Sequence, residues 1–82
     1  MITVRYFAGA RAAAGVAEET MPAGTSLVDL VTSLGERHGA RLGAVLRSAS
    51  FLVDGVAYRH HDRDRVLPEA TVVDILPPFA GG

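Results

Sequence analysis

The residues whose types and spacing suit chemistry stand at the C-terminal end of the 82-residue chain, in the run Leu76-Pro77-Pro78-Phe79-Ala80-Gly81-Gly82. Pro77 and Pro78 cannot donate ladder hydrogen bonds, so a strand reaching Leu76 stops there. They also bias the chain toward polyproline II, which projects the last four residues stiffly away from the body. The six residues from Pro77 to Gly82, at ~3.1–3.5 Å each, reach roughly 20 Å, enough to enter another protein's active site. Gly81 and Gly82 have no Cβ and can thread a channel too narrow for any other residue. The group left for chemistry is the Gly82 carboxylate. The expected organisation is a folded domain over 1–76 and an extended, flexible tail over 77–82; the alternative is an ordinary frayed, Gly-rich end.

Few other groups compete for a chemical role. With no Cys there is no thiol nucleophile, disulfide or Zn–thiolate site. All eight basic side chains are Arg, so no lysine offers Schiff-base chemistry or accepts a modifier, although a codon bias toward Arg gives the same composition. His60-His61-Asp62 and Asp64 lack a recurring metal-ligand spacing, and a solvated turn is the expected reading, with no metal. Arg59, Arg63 and Arg65 alternate with Asp62 and Asp64. That run reads as a solvated loop, with a rim contact to an acidic partner as its functional alternative. No phosphate-binding glycine loop or nucleophile elbow is present, and the four serines have no recognisable partners. The chain by itself has no credible active site. A net charge of −1 gives no pull toward nucleic acid or an anionic membrane. No window approaches 18 consecutive apolar residues and no secretory signal is visible, so the cytoplasm is expected.

The elements that must position the tail are legible from periodicity. Ile2, Val4 and Tyr6 alternate with Thr3, Arg5 and Phe7, the pattern of a half-buried strand. Ala8 to Gly15, small and Gly-punctuated, reads as a loop with room for a helical turn, and Val16 to Met21 as a weaker strand. Leu27, Leu30, Val31 and Leu34 form one helical stripe, capped by Thr25 or Ser26. Arg37 and His38 suit its C-terminal end, and Gly39 suits a left-handed stop. Leu42, Val45 and Leu46 suggest a shorter helix. Phe51 to Tyr58 reads as a hairpin around a type I′ turn at Asp54-Gly55. Pro68 opens a turn, and Thr71 to Leu76 is apolar enough for a central strand buried on both faces. The predicted fold is therefore α+β: a ubiquitin-like β-grasp, a mixed sheet with one main helix across it and first and last strands parallel.

With those residues in view, the whole chain resembles the MoaD/ThiS family of ubiquitin-like sulfur carriers, and within it the molybdopterin synthase small subunit. The resemblance rests on ITVRYFAGAR, SLVDLVTSL, FLVDGVAY and above all the terminal LPPFAGG. It implies that a partner adenylating enzyme uses ATP to activate the Gly82 carboxylate and that a sulfur donor converts it to a thiocarboxylate. The tail would then enter a large synthase subunit and give sulfur to cyclic pyranopterin monophosphate, in molybdenum cofactor biosynthesis. On this reading the chain is not catalytic alone; it is the sulfur-donating subunit of a sulfurtransferase complex, a heterotetramer of two small and two large subunits. It would bind no cofactor of its own. Leu76 and Phe79 are the first candidates for the partner-docking patch; Phe7 and Arg11 are further candidates, with core or solvated surface as the alternative. Feeding thiamine or cysteine biosynthesis instead, or conjugation to target lysines through Gly82, would use the same terminus. Many relatives carry Asp-Gly-Asp before the last strand, where this chain has Pro68-Glu69-Ala70; a type I turn with Pro second is the expected substitute.

Overall fold

The computed structural model describes residues 1–78. In chain order the elements are β1 (Ile2–Tyr6), α1 (Ala8–Ala14), β2 (Glu18–Met21), α2 (Leu27–His38), α3 (Ala40–Ser48), β3 (Ser50–Val53), β4 (Val56–Ala57), a 3₁₀ turn (His60–Asp62) and β5 (Val72–Leu76). Among the described residues the strands form one mixed sheet in the order β2-β1-β5-β3-β4. β1 and β5, the first and last strands, lie side by side and parallel, while β1–β2, β3–β4 and β3–β5 are antiparallel. This is the ubiquitin-like β-grasp.

Alternation along each strand decides which face is covered. Ile2, Val4 and Tyr6 of β1, Val73 and Ile75 of β5, and Phe51 and Val53 of β3 are all buried. They meet Leu27, Leu30 and Leu34 of α2 and Leu42 and Leu46 of α3 in one core. Three fully buried leucines at positions i, i+3 and i+7 of α2 are the apolar stripe that the spacing predicts. Fully burying each such side chain contributes about 1.5–3 kcal/mol. Among the described residues, the opposite face of the sheet carries no helix.

Local signals set the ends. Ser26 takes an extended conformation and its Oγ accepts a hydrogen bond from the Asp29 N–H at 3.2 Å, satisfying one of the helix's orphan donors. Gly39 stops α2, though not in the left-handed helical conformation expected of it. Its φ of 96° and ψ of −174° fall in a region open essentially to glycine alone, and α3 starts at the next residue. Asp54 and Gly55 have φ of 49° and 81°, the pair of positive angles a type I′ hairpin requires.

Two other expectations change. Ala8–Ala14 is a full helix of 7 residues rather than a loop with a single turn. Its apolar stripe is invisible in sequence because only Ala10 is buried. The turn before β5 runs from Pro68 to Thr71, with Pro first rather than second: the Thr71 N–H donates to the Pro68 carbonyl at 3.3 Å and its Oγ1 does so at 2.6 Å. Its third residue, Ala70, has φ of 64°, so an alanine occupies the left-handed position that Gly would fill without strain.

Candidate functional site

β5 delivers the base of the tail from near the middle of the sheet. Leu76 is its last residue, half-buried, and pairs with Ser50 of β3. Pro77 and Pro78 follow, both exposed and outside the strand. Phe79, Ala80, Gly81 and Gly82, the remaining tail residues named from sequence, lie outside the described residues.

Alternation from the buried Tyr6 and Ile75 places Phe7 and Leu76 on the uncovered face. The Phe7 N–H donates to the Ile75 carbonyl at 3.1 Å, which continues the parallel ladder and brings Phe7 alongside Leu76. Phe7 is 39% exposed. Arg11 does not join them. It lies on α1, and its side chain lines a shallow hollow of about 610 Å³ with Ala8, Ala12, Gly15, Val16 and Ala17, to which neither Phe7 nor Leu76 contributes.

The centre of the uncovered face is polar. Arg5 and Asp74 are direct register partners across β1 and β5. Arg5 donates to both carboxylate oxygens of Asp74, Nε to Oδ1 at 2.5 Å and Nη2 to Oδ2 at 2.9 Å. This two-pronged geometry is the strong form of the interaction. The hydrogen bonds and the carboxylate charge raise the Arg5 pKa, so the guanidinium is held charged. Its Cζ also sits 5.9 Å from the centre of the Phe7 ring. The patch next to the tail is thus an ion pair edged by the apolar side chains Phe7, Leu76, Val72 and Leu52. Such a surface combines desolvation with a charge-based register for a partner. The sequence does not single out Asp74 and Arg5, because each looks like an ordinary strand polar residue until the parallel pairing is known.

On the covered side, Glu19 of β2 gathers three partners. Its Oε2 accepts from the Tyr6 hydroxyl at 2.8 Å and meets His38 Nε2 at 2.5 Å, while Arg37 Nε lies 3.2 Å from Oε1. Burial first, then the bond to Glu19, raises the Tyr6 pKa far above the ordinary phenol value. This cluster ties the C-terminal end of α2 to the β1–β2 edge. It faces away from the tail and reads as structural. Among the described residues no group of three or more His, Asp or Glu side chains is placed to hold a metal ion, and none of the helices is long and apolar enough to cross a membrane.

The family model described as the ThiS family matches residues 4–82. A comparison with curated proteins finds no significant match. Among solved structures, a Pyrococcus furiosus protein assigned as molybdopterin converting factor subunit 1 shares 26% identity, covering 94% of this chain and 95% of that one, with a TM-score of 0.73. Small archaeal modifier protein 1 from Methanosarcina acetivorans shares 27% identity over 99% of this chain and 95% of its own, with a TM-score of 0.76. The Haloferax volcanii HVO 2177 protein has a TM-score of 0.78 at 23% identity, covering 99% and 85%, a likeness of fold. The chain belongs to the ThiS family, as a ubiquitin-like protein of the sulfur-carrier or modifier kind.

Proposed function

We propose that this chain is the sulfur-carrier small subunit of a molybdopterin synthase, with residues 1–76 as its folded domain and 77–82 as its working tail. The observation that carries this reading is the placement of Leu76-Pro77-Pro78: β5 ends beside an uncovered sheet face, and the exposed prolines lead out of it toward Phe79-Ala80-Gly81-Gly82. The likeness to the Pyrococcus furiosus protein supports the molybdopterin branch.

In the proposed cycle a Gly82 carboxylate oxygen attacks the α-phosphate of ATP on a partner adenylating enzyme, and pyrophosphate leaves. The acyl adenylate is an electrophile, where the free carboxylate is not. Hydrosulfide from a sulfur donor attacks its carbonyl carbon and AMP departs, leaving a thiocarboxylate. Because the chain has no Cys, its sulfur has to come from outside. The tail then enters the large subunit, where the sulfur attacks a side-chain carbon of the pterin precursor and displaces an oxygen substituent. Water hydrolyses the resulting thioester to release Gly82 as carboxylate, and a second loaded carrier brings the second sulfur of the dithiolene. The side chains that assist these steps belong to the partners. This chain supplies reach, narrowness and a docking face of Phe7, Leu76 and the Arg5–Asp74 pair.

Reconstitution tests the reading. Purified chain, adenylating enzyme, ATP, a sulfur donor and the large subunit should convert cyclic pyranopterin monophosphate to molybdopterin, and the chain lacking Gly82 should not. Conversion that survives the deletion overturns the proposal. The likeness to small archaeal modifier protein 1 favours a second reading, attachment to target lysines through Gly82. It predicts higher-mass conjugates in cells bearing a Gly-Gly remnant on lysine. Reconstitution with thiazole- or cysteine-forming partners distinguishes the other sulfur destinations.

A further inference from the structure

Residues 59–65 read as a solvated charge run in sequence, but the structure builds part of that run into a hollow. Its lining includes Ser50 and Phe51 of β3, Tyr58, and the basic side chains Arg59, His60, His61 and Arg63, around a volume of about 640 Å³. Among the described residues no carboxylate lines it. We propose that this hollow anchors an acidic peptide segment of the partner adenylating enzyme, the first protein to take up the tail, an inference that rests on the tail-delivery reading above.

Three observations support that occupant. First, Arg63 is held in place and, among the described residues, has no carboxylate partner. Its Cζ stacks 4.9 Å from the centre of the Phe51 ring, its Nε is buried without a hydrogen-bond partner, and among the described residues it makes no ion pair. Its backbone is fixed too, since the Arg63 carbonyl accepts from the Val28 N–H at 3.0 Å. A pre-positioned guanidinium loses little freedom when a carboxylate arrives.

Second, Asp62 of the run is turned to other work, and neither it nor Asp64 lines the hollow. Asp62 accepts from the Arg59 N–H at 2.9 Å and lies 3.3 Å from Arg65 Nη2 and 3.6 Å from His61 Nε2. It braces the turn that presents Arg59 and His60, and does not line the hollow. Three backbone N–H groups of the turn are already committed: those of Arg59, Asp62 and Arg63 donate to Asp62 Oδ2, the Arg59 carbonyl and the His60 carbonyl. That leaves fewer free N–H groups to grip a phosphate, whereas spread cationic side chains suit a strip of carboxylates.

Third, the position fits. Ser50 on the rim is the register partner of Leu76, so the hollow adjoins the strand end from which the tail departs. A partner engaging the tail brings its surface to this edge, where an acidic segment would speed encounter and set orientation.

The test has two arms. In the first, amide resonances of the isolated protein are followed by NMR during titration with hexaglutamate and, separately, inorganic phosphate. Hexaglutamate should shift residues 57–63, and the doubly substituted Arg59→Glu/His60→Glu protein, altered only at exposed positions, should lose those shifts. No shift with hexaglutamate, or shifts with phosphate alone, overturns the anchor whatever the chain's function. In the second arm, adenylation by the partner enzyme is measured against carrier concentration and salt. The double variant should raise KM about three- to tenfold with kcat unchanged, and flatten its salt dependence. An unchanged KM alongside active wild-type carrier refutes the anchor and leaves the carrier reading standing; an inactive wild-type carrier refutes the carrier reading instead.

Discussion

Arg5 and Asp74 face each other across the two parallel strands β1 and β5, and the Arg5 guanidinium grips both oxygens of the Asp74 carboxylate. The pair is lopsided: the Asp74 side chain is 11% exposed and that of Arg5 47%. Removing Arg5 therefore strands a nearly buried carboxylate, while removing Asp74 leaves a guanidinium that water can still reach. Arg5→Ala should destabilise more than Asp74→Ala, measured as urea unfolding midpoints with unchanged m. Equal losses would contradict the assigned burial.

Docking and stability should separate on the uncovered face. Phe7→Ala removes an exposed aromatic ring, so stability should fall by less than about 1 kcal/mol. Affinity for the tail-receiving partner, followed calorimetrically, should drop about tenfold or more if the ring is an anchor. Arg11→Ala, in its separate hollow, should change that affinity far less. A larger effect at Arg11 than at Phe7 would move the docking surface to α1.

Tyr6 carries a signature in alkali. Its folded-state pKa lies above the unfolded value, so its contribution to stability is complete below the ordinary phenol value near about 10 and is lost as pH rises beyond it. In a Tyr58→Phe protein, which isolates Tyr6, tyrosinate absorbance should appear only together with unfolding. Titration of a still-folded protein at the ordinary phenol value would break the Tyr6–Glu19 account.

Ala70 offers a gain. With φ of 64° its Cβ is strained, and Ala70→Gly should relieve that, less the extra entropy glycine has in the unfolded chain. A net stabilisation of about 0.5–1 kcal/mol is expected by thermal or urea unfolding. A loss would show that the turn does not hold this conformation in solution.

Legibility in the sequence depends on the range of the interaction. The Asp54-Gly55 hairpin and the Leu27–Leu34 stripe depend on neighbouring residues, and both stand where their spacing puts them. The Arg5–Asp74 pair spans 69 positions and exists only once β1 and β5 are in register. Burial of β5 on both faces holds for Val73, Asp74 and Ile75, but on the uncovered face it comes from an ion pair, and Val72 and Leu76 remain half-buried. Arg63 reads as solvated because its run is charged; the ring beneath it, Phe51, lies 12 positions earlier. At the tail, residue identity suggests the proposed chemistry, which needs no surrounding side chains from the same chain, and the fold adds where β5 ends and the exposed prolines begin.

The central claim concerns Gly82, and intact mass spectrometry tests it most directly. After incubation with the adenylating enzyme, ATP and a sulfide source, the chain should gain the mass difference between sulfur and oxygen, once, and fragmentation should place the change on the last residue. A mass that stays constant with an enzyme proven active on another carrier, or a sulfur found anywhere but Gly82, would contradict it.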